Sequence, residues 1–290
     1  MALIGMPDDL GVRMNGGRPG ASEGPVAFRA ALAKYGVRHP SGWTWPTVYD
    51  AGDVIPAGGD SPDALEETHG RVTLAVETAL KLGLFPIGIG GGHDLTFAFV
   101  RPVAIRNPRM VGYYLDAHLD VREAVGSGMP FRRLIEDCGV QALRLVGMNP
   151  LVNQADHVAY FVEHHGRAMG GADFEASIRT EPLDAFASLD MDVLDGAAAP
   201  GVSAVNPAGL TAREVERLVA SLGRSPRVQC FDIMELNPRF DPDGRTARLA
   251  AHMFLTFLRG LAQRWDRAED IAGHVGAGPG TRVKGGEGQR

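Results

Sequence analysis

Short apolar runs alternate along the chain with longer segments whose apolar residues recur at helical spacing. The short runs predict strands over residues 83–92, 110–118, 142–148, 185–193 and 228–236, after a first short strand in the opening residues MALIGM. The longer segments predict helices over residues 62–83, 211–223 and 246–265. Strands that alternate with helices are typical of βα units, so the pattern predicts an α/β fold with a mostly parallel sheet.

The pattern continues without an internal repeat or a linker-like change in composition until the last residues. There the chain becomes glycine-rich and polar, in GHVGAGPGTRVKGGEGQR. Such a composition favours a flexible segment over a packed one. We therefore expect a single domain over residues 1–268 and a flexible tail over residues 269–290.

Composition and charge narrow the class of protein. The 290 residues are 44% hydrophobic and carry a formal net charge of −6, which gives no basic surface for nucleic acid. The first residues lack the basic and long apolar regions of a signal peptide, and no apolar run approaches the roughly 18 residues needed to span a bilayer. The two cysteines, Cys138 and Cys230, imply no disulfide framework. We expect a cytoplasmic protein with no membrane and no nucleic-acid partner.

Polar side chains suited to metal binding or catalysis follow the apolar parts of four predicted strands, residues 84–89, 110–115, 186–189 and 228–233. They are His93 in GGGHD, Asp116, His118 and Asp120 in DAHLD, Asp190 and Asp192 in SLDMD, and Glu235 in DIMEL. In parallel α/β sheets ligands bind outside the carboxyl ends of the strands, so these side chains should meet at one edge. Residues two apart in a strand also point to one face, which would place the polar groups of DAHLD together.

Each of these segments also has an ordinary structural explanation. A histidine after a glycine-rich turn is often a capping or surface residue, and an Asp-x-Asp pair at a strand end is a common turn former. The convergence is harder to explain in this way, because neighbouring carboxylates repel or share a proton unless a cation lies between them.

The charge of the converging residues indicates how many cations are needed. The four aspartates and two histidines carry four negative charges, which would balance two divalent ions. Carboxylates with some imidazole and no thiolate suit Mn²⁺, whereas structural zinc prefers cysteine and histidine. Two such ions about 3.5–4 Å apart lower the pKa of a shared water, which points to hydrolysis at a polarised carbon or phosphorus centre.

These segments, in this order, resemble the ureohydrolase family of arginase, agmatinase and formimidoylglutamase. GGGHD, DAHLD and SLDMDVLD are similar to its metal motifs, DIMELNPRFDPDGRTARLAA to its substrate-binding segment, and GVRMNGGRPGASEGPVAFRAAL to its N-terminal segment. The resemblance implies a three-layer αβα sandwich with a mainly parallel β-sheet, a manganese pair, and a homo-oligomer, a trimer or hexamer. It also implies the metal ligands His93, Asp116, His118, Asp120, Asp190 and Asp192.

Within the family, several segments resemble formimidoylglutamase more than arginase or agmatinase. The first motif is GGGHD, where formimidoylglutamases have GGGHE and arginases GGDHS, and the formimidoylglutamase-like APGVSA follows the third motif. Ser127 stands where arginase and agmatinase have a proton-shuttling histidine, although Met129 replaces the usual threonine of formimidoylglutamase.

The resemblance therefore implies hydrolysis of the C–N bond of a linear amidine, N-formimidoyl-L-glutamate, to L-glutamate and formamide. A hydrolase of a guanidino acid or another guanidino compound that releases urea is the alternative. A non-catalytic metal-binding or scaffold protein with the same fold is a more distant one.

Two residues would act on the reacting group. Glu235 would pair with the cationic amidinium and fix its orientation. Asp120 would accept a proton and pass it to the departing amine. The alternative for Glu235 is an N-cap or a surface glutamate ahead of Asn-Pro.

Two further residues would bind the rest of the substrate. Arg122, at the rim, would bind a substrate carboxylate, since guanidinium pairs with carboxylate through two parallel hydrogen bonds. Its alternative is an ion pair with Glu123 or Glu136. Ser127 would be a polar substrate contact, or else a turn residue.

Overall fold

Parallel strands form one eight-stranded sheet in the computed structural model, which describes residues 1–36 and 45–276. The strands are β1 (Ala2–Met6), β2 (Tyr49–Asp53), β3 (Pro86–Gly90), β4 (Val111–Leu115), β5 (Ala142–Val146), β6 (Arg167–Ala168), β7 (Ala185–Asp190) and β8 (Val228–Met234). The helices are α1 (Leu10–Met14), α2 (Gly24–Leu32), α3 (Pro62–Lys81), α4 (Leu95–Arg106), α5 (Pro130–Cys138), α6 (Ala155–Glu163), α7 (Gly171–Thr180), α8 (Ala212–Arg224) and α9 (Arg245–Gly276). Every neighbouring pair of strands is parallel, as the sequence predicts.

Each predicted strand and helix is present. The apolar parts of the four central strands end within one residue of the observed ends, but the full predicted runs are too long at their carboxyl ends. The predictions over 83–92, 110–118, 185–193 and 228–236 run past the ends of β3, β4, β7 and β8, where the chain leaves the sheet and forms loops. The pattern does not predict β2 and β6. Both lie at an edge of the sheet and all their residues are exposed, so neither has a buried apolar face to reveal it.

Helix α9 is longer than the pattern predicts and reaches into the expected tail. It continues to Gly276, and therefore includes the first residues of the segment 269–290. Between Gly260 and Gly273 the chain has no glycine or proline to end a helix, which accounts for the extension. Residues 277–290 lie outside the described residues, so the flexible tail stays a prediction there.

Helices cover both faces of the sheet and complete the three layers. Helices α2, α7, α8 and α9 pack against one face, and α3, α4, α5 and α6 against the other. Strand β4 shows the alternation that makes two cores, since Tyr113 is fully buried in one and Tyr114 in the other. None of the helices within the described residues is both long and apolar enough to cross a membrane.

The strand order places a crevice at the centre of the sheet. The order is β2-β1-β3-β8-β7-β4-β5-β6, so β3 and β4, consecutive in the chain, are separated by β8 and β7. The loops that leave β3 and β4 therefore lead to different parts of the sheet. A reversal of this kind opens a crevice at the carboxyl ends of the strands, where ligands bind in such folds.

Candidate metal centre

The loops that follow the four central strands bring the predicted polar residues together. His93 follows β3, Asp116, His118 and Asp120 follow β4, Asp190 and Asp192 lie at the end of β7, and Glu235 follows β8. A cavity of about 120 Å³ lies at this point and is lined by several of these side chains. His93 and Asp116 are buried, with exposed fractions of 1% and 0%.

The glycines before His93 allow three loops to approach one another. The Gly92 N–H donates to the backbone oxygen of Asp8 at 2.9 Å, and a Cβ on Gly91 would lie only 1.8 Å from that oxygen. The Glu235 N–H in turn donates to the oxygen of Gly91 at 2.8 Å. The absence of side chains in this turn thus lets the loops after β1, β3 and β8 meet around the crevice.

His93 is the centre of the first group of candidate ligands. Its Nδ1 atom lies 3.1 Å from Asp116 Oδ2, 2.9 Å from Asp120 Oδ2 and 3.1 Å from Asp190 Oδ2. The Phe131 ring lies nearly perpendicular to the imidazole, with the two ring centroids 5.3 Å apart and an interplanar angle of 88°. The imidazole is therefore held among three carboxylates by a buried aromatic neighbour.

A second group overlaps the first. His118 Nδ1 lies 3.1 Å from Asp192 Oδ2 and 3.4 Å from Asp116 Oδ1. Within each group the candidate ligand atoms all lie within 4.8 Å of one another, and Asp116 belongs to both groups. One carboxylate that offers an oxygen to each of two neighbouring groups is the arrangement expected of a dinuclear centre.

The contacts of His93 fix which of its nitrogens carries a proton. Its Nε2 atom lies 3.0 Å from Ser188 Oγ, and that hydroxyl donates to Asp232 Oδ1. Because the hydroxyl has only one proton to donate, it accepts from the imidazole, so Nε2 is protonated and Nδ1 is the nitrogen left to bind a metal ion. A histidine ligand oriented through its second nitrogen is the usual arrangement at metal centres.

Two buried polar atoms at the centre indicate which ligand the donor set fits. Within the described part of the chain, His93 Nδ1 and Asp116 Oδ2 are buried and have no hydrogen-bond partner of acceptable geometry. A nitrogen lone pair that faces carboxylate oxygens at 2.9–3.1 Å is repulsive unless a positive charge lies between them. The donor set therefore fits divalent cations.

The pKa values of the site indicate the same need for positive charge. Burial and the repulsion of Asp192 and Asp116 raise the pKa of Asp190 well above its ordinary value. Burial opposes protonation of His93 and His118, yet the neighbouring carboxylates raise the pKa of both imidazoles. The cluster therefore favours bound protons, and two divalent ions would supply the positive charge in place of those protons.

The strand alternation expected for Asp116, His118 and Asp120 is absent, although the three side chains do converge. Strand β4 ends at Leu115, and the three residues lie on a loop. Asp120 has a left-handed backbone, with φ of +47°, which is rare for residues other than glycine. The loop is bent so that Asp116 and Asp120 both reach His93, a geometry that strand alternation does not describe.

Glu235 is buried at the same cavity, so a surface position is excluded. Its φ of +64° is also left-handed, and its Oε1 accepts from the His93 N–H at 2.7 Å. Its Oε2 is buried without a hydrogen-bond partner among the described residues. Burial raises the pKa of the Glu235 carboxyl to about 8, while Ser203 and the His93 N–H act to lower it. A cation beside Glu235 would therefore favour its ionised form.

Arg122 and Ser127 line this cavity too. Among the described side chains, those of residues 1–36 and 45–264, the Arg122 guanidinium has no carboxylate within 4 Å, and Glu136 instead pairs with Arg132 at 2.9 Å. The ion pair considered as an alternative for Arg122 is thus absent from the described structure. Ser127 lies in the turn before α5, 3.1 Å from the amide of Asn15.

Several residues of the site carry no signal that sequence reasoning could use. Ser188 and Asp232 lie inside β7 and β8, where single polar residues look like ordinary strand positions. Asn153 fixes the DAHLD loop from a distance: its oxygen accepts from the Leu119 N–H at 2.9 Å and its NH₂ donates to Ala117 at 2.9 Å.

The sequence is similar to that of known enzymes along most of its length. A model of the arginase family matches residues 1–259. Formimidoylglutamase from Aromatoleum aromaticum is 37% identical over 91% of this chain and 84% of its own. Formimidoylglutamase from Geobacillus thermodenitrificans is 34% identical over 86% of this chain and 81% of its own.

Solved structures share the fold. The crystal structure of Trypanosoma cruzi formiminoglutamase with Mn²⁺ is 33% identical, with a TM-score of 0.83 over 91% of this chain and 93% of that one. Proclavaminate amidino hydrolase from Streptomyces clavuligerus is 28% identical, with a TM-score of 0.78 over 91% and 92%. The chain belongs to the arginase family.

Proposed function

We propose that this protein hydrolyses N-formimidoyl-L-glutamate to L-glutamate and formamide, with a pair of Mn²⁺ ions. The observation that carries the proposal is one cavity lined by candidate metal ligands, by Glu235 and by Arg122. A carboxylate-bearing amidine complements these groups with an electrophilic carbon, a cationic end and an anionic end. The formimidoylglutamases among the relatives support the same substrate.

The metal ions would be held by the two groups that share Asp116. The proposed ligands are His93, Asp116, Asp120 and Asp190 in one group, and Asp116, His118 and Asp192 in the other. Oxygen and nitrogen donors without thiolate suit Mn²⁺, and the Trypanosoma cruzi neighbour was crystallised with that ion. When bound, two such ions supply a water molecule of lowered pKa and stabilise negative charge that develops on the substrate.

Glu235 would bind the amidinium group. Because the His93 N–H occupies Oε1, the second oxygen, Oε2, which has no hydrogen-bond partner of acceptable geometry among the described residues, remains to accept a hydrogen bond from a substrate N–H. A bond between a carboxylate and an amidinium is charge-assisted and fixes the orientation of the electrophilic carbon. The amidinium would also supply the positive charge that the buried Glu235 carboxylate requires.

Asp120 would transfer a proton from the attacking water to the departing glutamate nitrogen. Hydrolysis adds water across the C–N bond, so the amidine carbon gains the oxygen and the glutamate nitrogen gains a proton. The carboxylate of Asp120 lines the cavity and can take a proton from the water and deliver it to that nitrogen. The nitrogen then leaves as an amine, and formamide remains.

Arg122 would bind a carboxylate of the glutamate part. Arg122 lines the cavity, its guanidinium has no carboxylate partner among the described residues, and it can hold a substrate carboxylate through two parallel hydrogen bonds. The same charge would repel agmatine, which ends in an amine. Arg122 therefore favours an acidic substrate over a basic one.

A guanidino acid is the second candidate substrate. One observation favours it: proclavaminate amidino hydrolase is similar in fold and sequence to this chain. Arg122 would bind the carboxylate of such an acid equally well, so the difference must lie around Glu235. A guanidinium carbon carries three nitrogens, whereas the amidinium carbon of the formimidoyl substrate carries two nitrogens and a hydrogen, so the guanidinium needs more space there.

A substrate panel tests the proposal. We expect the Mn²⁺-loaded protein to release formamide from N-formimidoyl-L-glutamate and to leave agmatine and arginine intact. Urea release from a guanidino acid at a higher kcat/KM than formamide release would favour the second candidate. Rapid agmatine turnover would contradict the role of Arg122.

A further inference from the structure

We infer that Asn15 is a positioning residue for the substrate carboxylate, acting through the turn 126–128 on Arg122. The inference rests on the proposed function, because it requires Arg122 to bind a carboxylate of the substrate. Asn15 directly follows helix α1 and lines the same cavity.

Asn15 accepts three hydrogen bonds from one turn of the chain. With its oxygen toward the turn, the amide accepts from the Gly128 N–H at 2.8 Å, from the Ser127 N–H at 3.1 Å and from the Ser127 hydroxyl at 3.1 Å. The opposite orientation would point the amide NH₂ group at the same donors. A single side chain thus holds a turn that lies 112 residues away in the sequence.

The turn is shaped to receive this side chain. Gly126 has a φ of +151°, and a Cβ at that position would lie 2.2 Å from the Asn15 amide. The Ser127 N–H also donates to the backbone oxygen of Gly11 at 3.0 Å. The backbone of helix α1 and the side chain of Asn15 therefore both hydrogen-bond to the turn.

Gly128 connects the turn to Arg122 through a backbone hydrogen bond and through direct packing. The Arg122 N–H donates to the oxygen of Gly128 at 2.8 Å. A Cβ on Gly128 would lie 2.7 Å from Arg122 Cδ, so the aliphatic part of the arginine packs directly on the glycine backbone. Since the guanidinium has no carboxylate partner among the described residues, this packing on Gly128 helps to set the position of the Arg122 side chain at the cavity.

A role of this kind affects binding of the acidic part of the substrate and not the chemical step. Neither Asn15 nor the turn contacts the candidate metal ligands through a hydrogen bond recorded in the described structure. A displaced Arg122 would lose the alignment that two parallel hydrogen bonds require. KM for an acidic substrate should therefore rise, while kcat should change little.

The test is a double-mutant cycle with Asn15→Ala and Arg122→Ala, measured on N-formimidoyl-L-glutamate and on N-butylformamidine, which has no carboxylate. We expect Asn15→Ala to raise KM for the acid about 10-fold with kcat within about 3-fold of wild type. In the Arg122→Ala background the same change should alter KM by less than about 2-fold. kcat/KM for N-butylformamidine should stay within about 2-fold in Asn15→Ala.

Two further variants keep the result specific. Asn107→Ala, which removes a side-chain hydrogen bond to the Val103 carbonyl outside the cavity, serves as the matched control and should behave as wild type. In Gly126→Ala the new Cβ would displace the Asn15 amide from the turn, so this variant should reproduce the Asn15→Ala pattern. It keeps the inference testable if Asn15→Ala itself folds poorly.

The inference fails if the effect of Asn15→Ala persists in full without Arg122, or if both substrates lose kcat/KM equally. A wild-type protein that leaves N-formimidoyl-L-glutamate intact is a different result, because it refutes the proposed function. In that case L-glutamate binding by calorimetry decides the inference: an equal Kd in wild type and Asn15→Ala overturns it, and weaker binding by the variant supports it.

Discussion

The imidazole of His93 donates from Nε2 to the hydroxyl of Ser188 across 3.0 Å, and this single contact leaves Nδ1 free to bind a metal ion. Ser188 can accept because it donates its own proton to Asp232, a carboxyl whose pKa burial raises to about 6. At neutral pH Asp232 is therefore mainly an acceptor. The direction of the whole chain of hydrogen bonds follows from this carboxylate.

Removal of the Ser188 hydroxyl should weaken metal binding. In Ser188→Ala the Nε2 proton loses its acceptor, so the imidazole is no longer held in one tautomer and orientation. We expect the affinity for Mn²⁺ to fall about 10- to 100-fold, measured by competition with a chelator. Ser177→Ala, which removes a hydroxyl contact with Tyr113 outside the metal cluster, is the control and should bind Mn²⁺ as wild type does. Equal affinities in both variants would contradict this role of Ser188.

Removal of the His118 imidazole should release one of two ions. His118 belongs only to the group with Asp116 and Asp192, whereas the group around His93 keeps all its members. Elemental analysis at a metal concentration that saturates wild type should give two ions per wild-type chain and about one per chain in His118→Ala. Activity should fall to a small fraction of the wild-type value. One ion or fewer in the saturated wild-type protein would rule out the dinuclear centre.

Glu235→Gln tests the contact with the amidinium. The amide oxygen can still accept from the His93 N–H, so the loop should keep its shape, but the negative charge is lost. We expect kcat/KM to fall roughly 10²-fold or more with unchanged Mn²⁺ content, since a charge-assisted bond is replaced by a neutral one. Normal turnover by the variant would show that Glu235 does not bind the substrate.

Arg122→Ala tests the preference for an acidic substrate. Loss of an ionic hydrogen-bonded contact, about 1.5–3 kcal/mol, should raise KM for N-formimidoyl-L-glutamate roughly 10- to 100-fold. Arg122→Lys keeps the charge but not the paired donors, and its KM should fall between those of wild type and Arg122→Ala. An unchanged KM in both variants would mean that another group binds the carboxylate.

The strands and the residues of the centre could be predicted from sequence for a physical reason. Apolar runs that end in Asp116 or Asp190 mark the carboxyl ends of buried strands, and parallel strands bring those ends to one edge. The resemblance to the arginase family then matched each of these segments to a metal motif or to the substrate-binding segment. The structure confirms the parallel sheet and brings the predicted residues together, while the roles assigned to them stay predictions.

What could not be predicted depends on contacts between distant parts of the chain. The left-handed backbones of Asp120 and Glu235 follow from the packing of loops, since no local pattern favours them in residues other than glycine. Asn15 reaches Ser127 only because the fold brings helix α1 beside the turn. The expected trimer or hexamer and the cytoplasmic location depend on partners and cellular context, and both stay predictions.

The most direct test of the account follows the formimidoyl carbon through the reaction. With that carbon ¹³C-labelled, the Mn²⁺-loaded protein should convert the substrate into labelled formamide and an equal amount of L-glutamate, observed by NMR. That result would show cleavage of the bond to the glutamate nitrogen, as the positions proposed for Glu235 and Asp120 require. Label in N-formyl-L-glutamate with release of ammonia would show cleavage of the other C–N bond, and would contradict the account, as would an unchanged substrate.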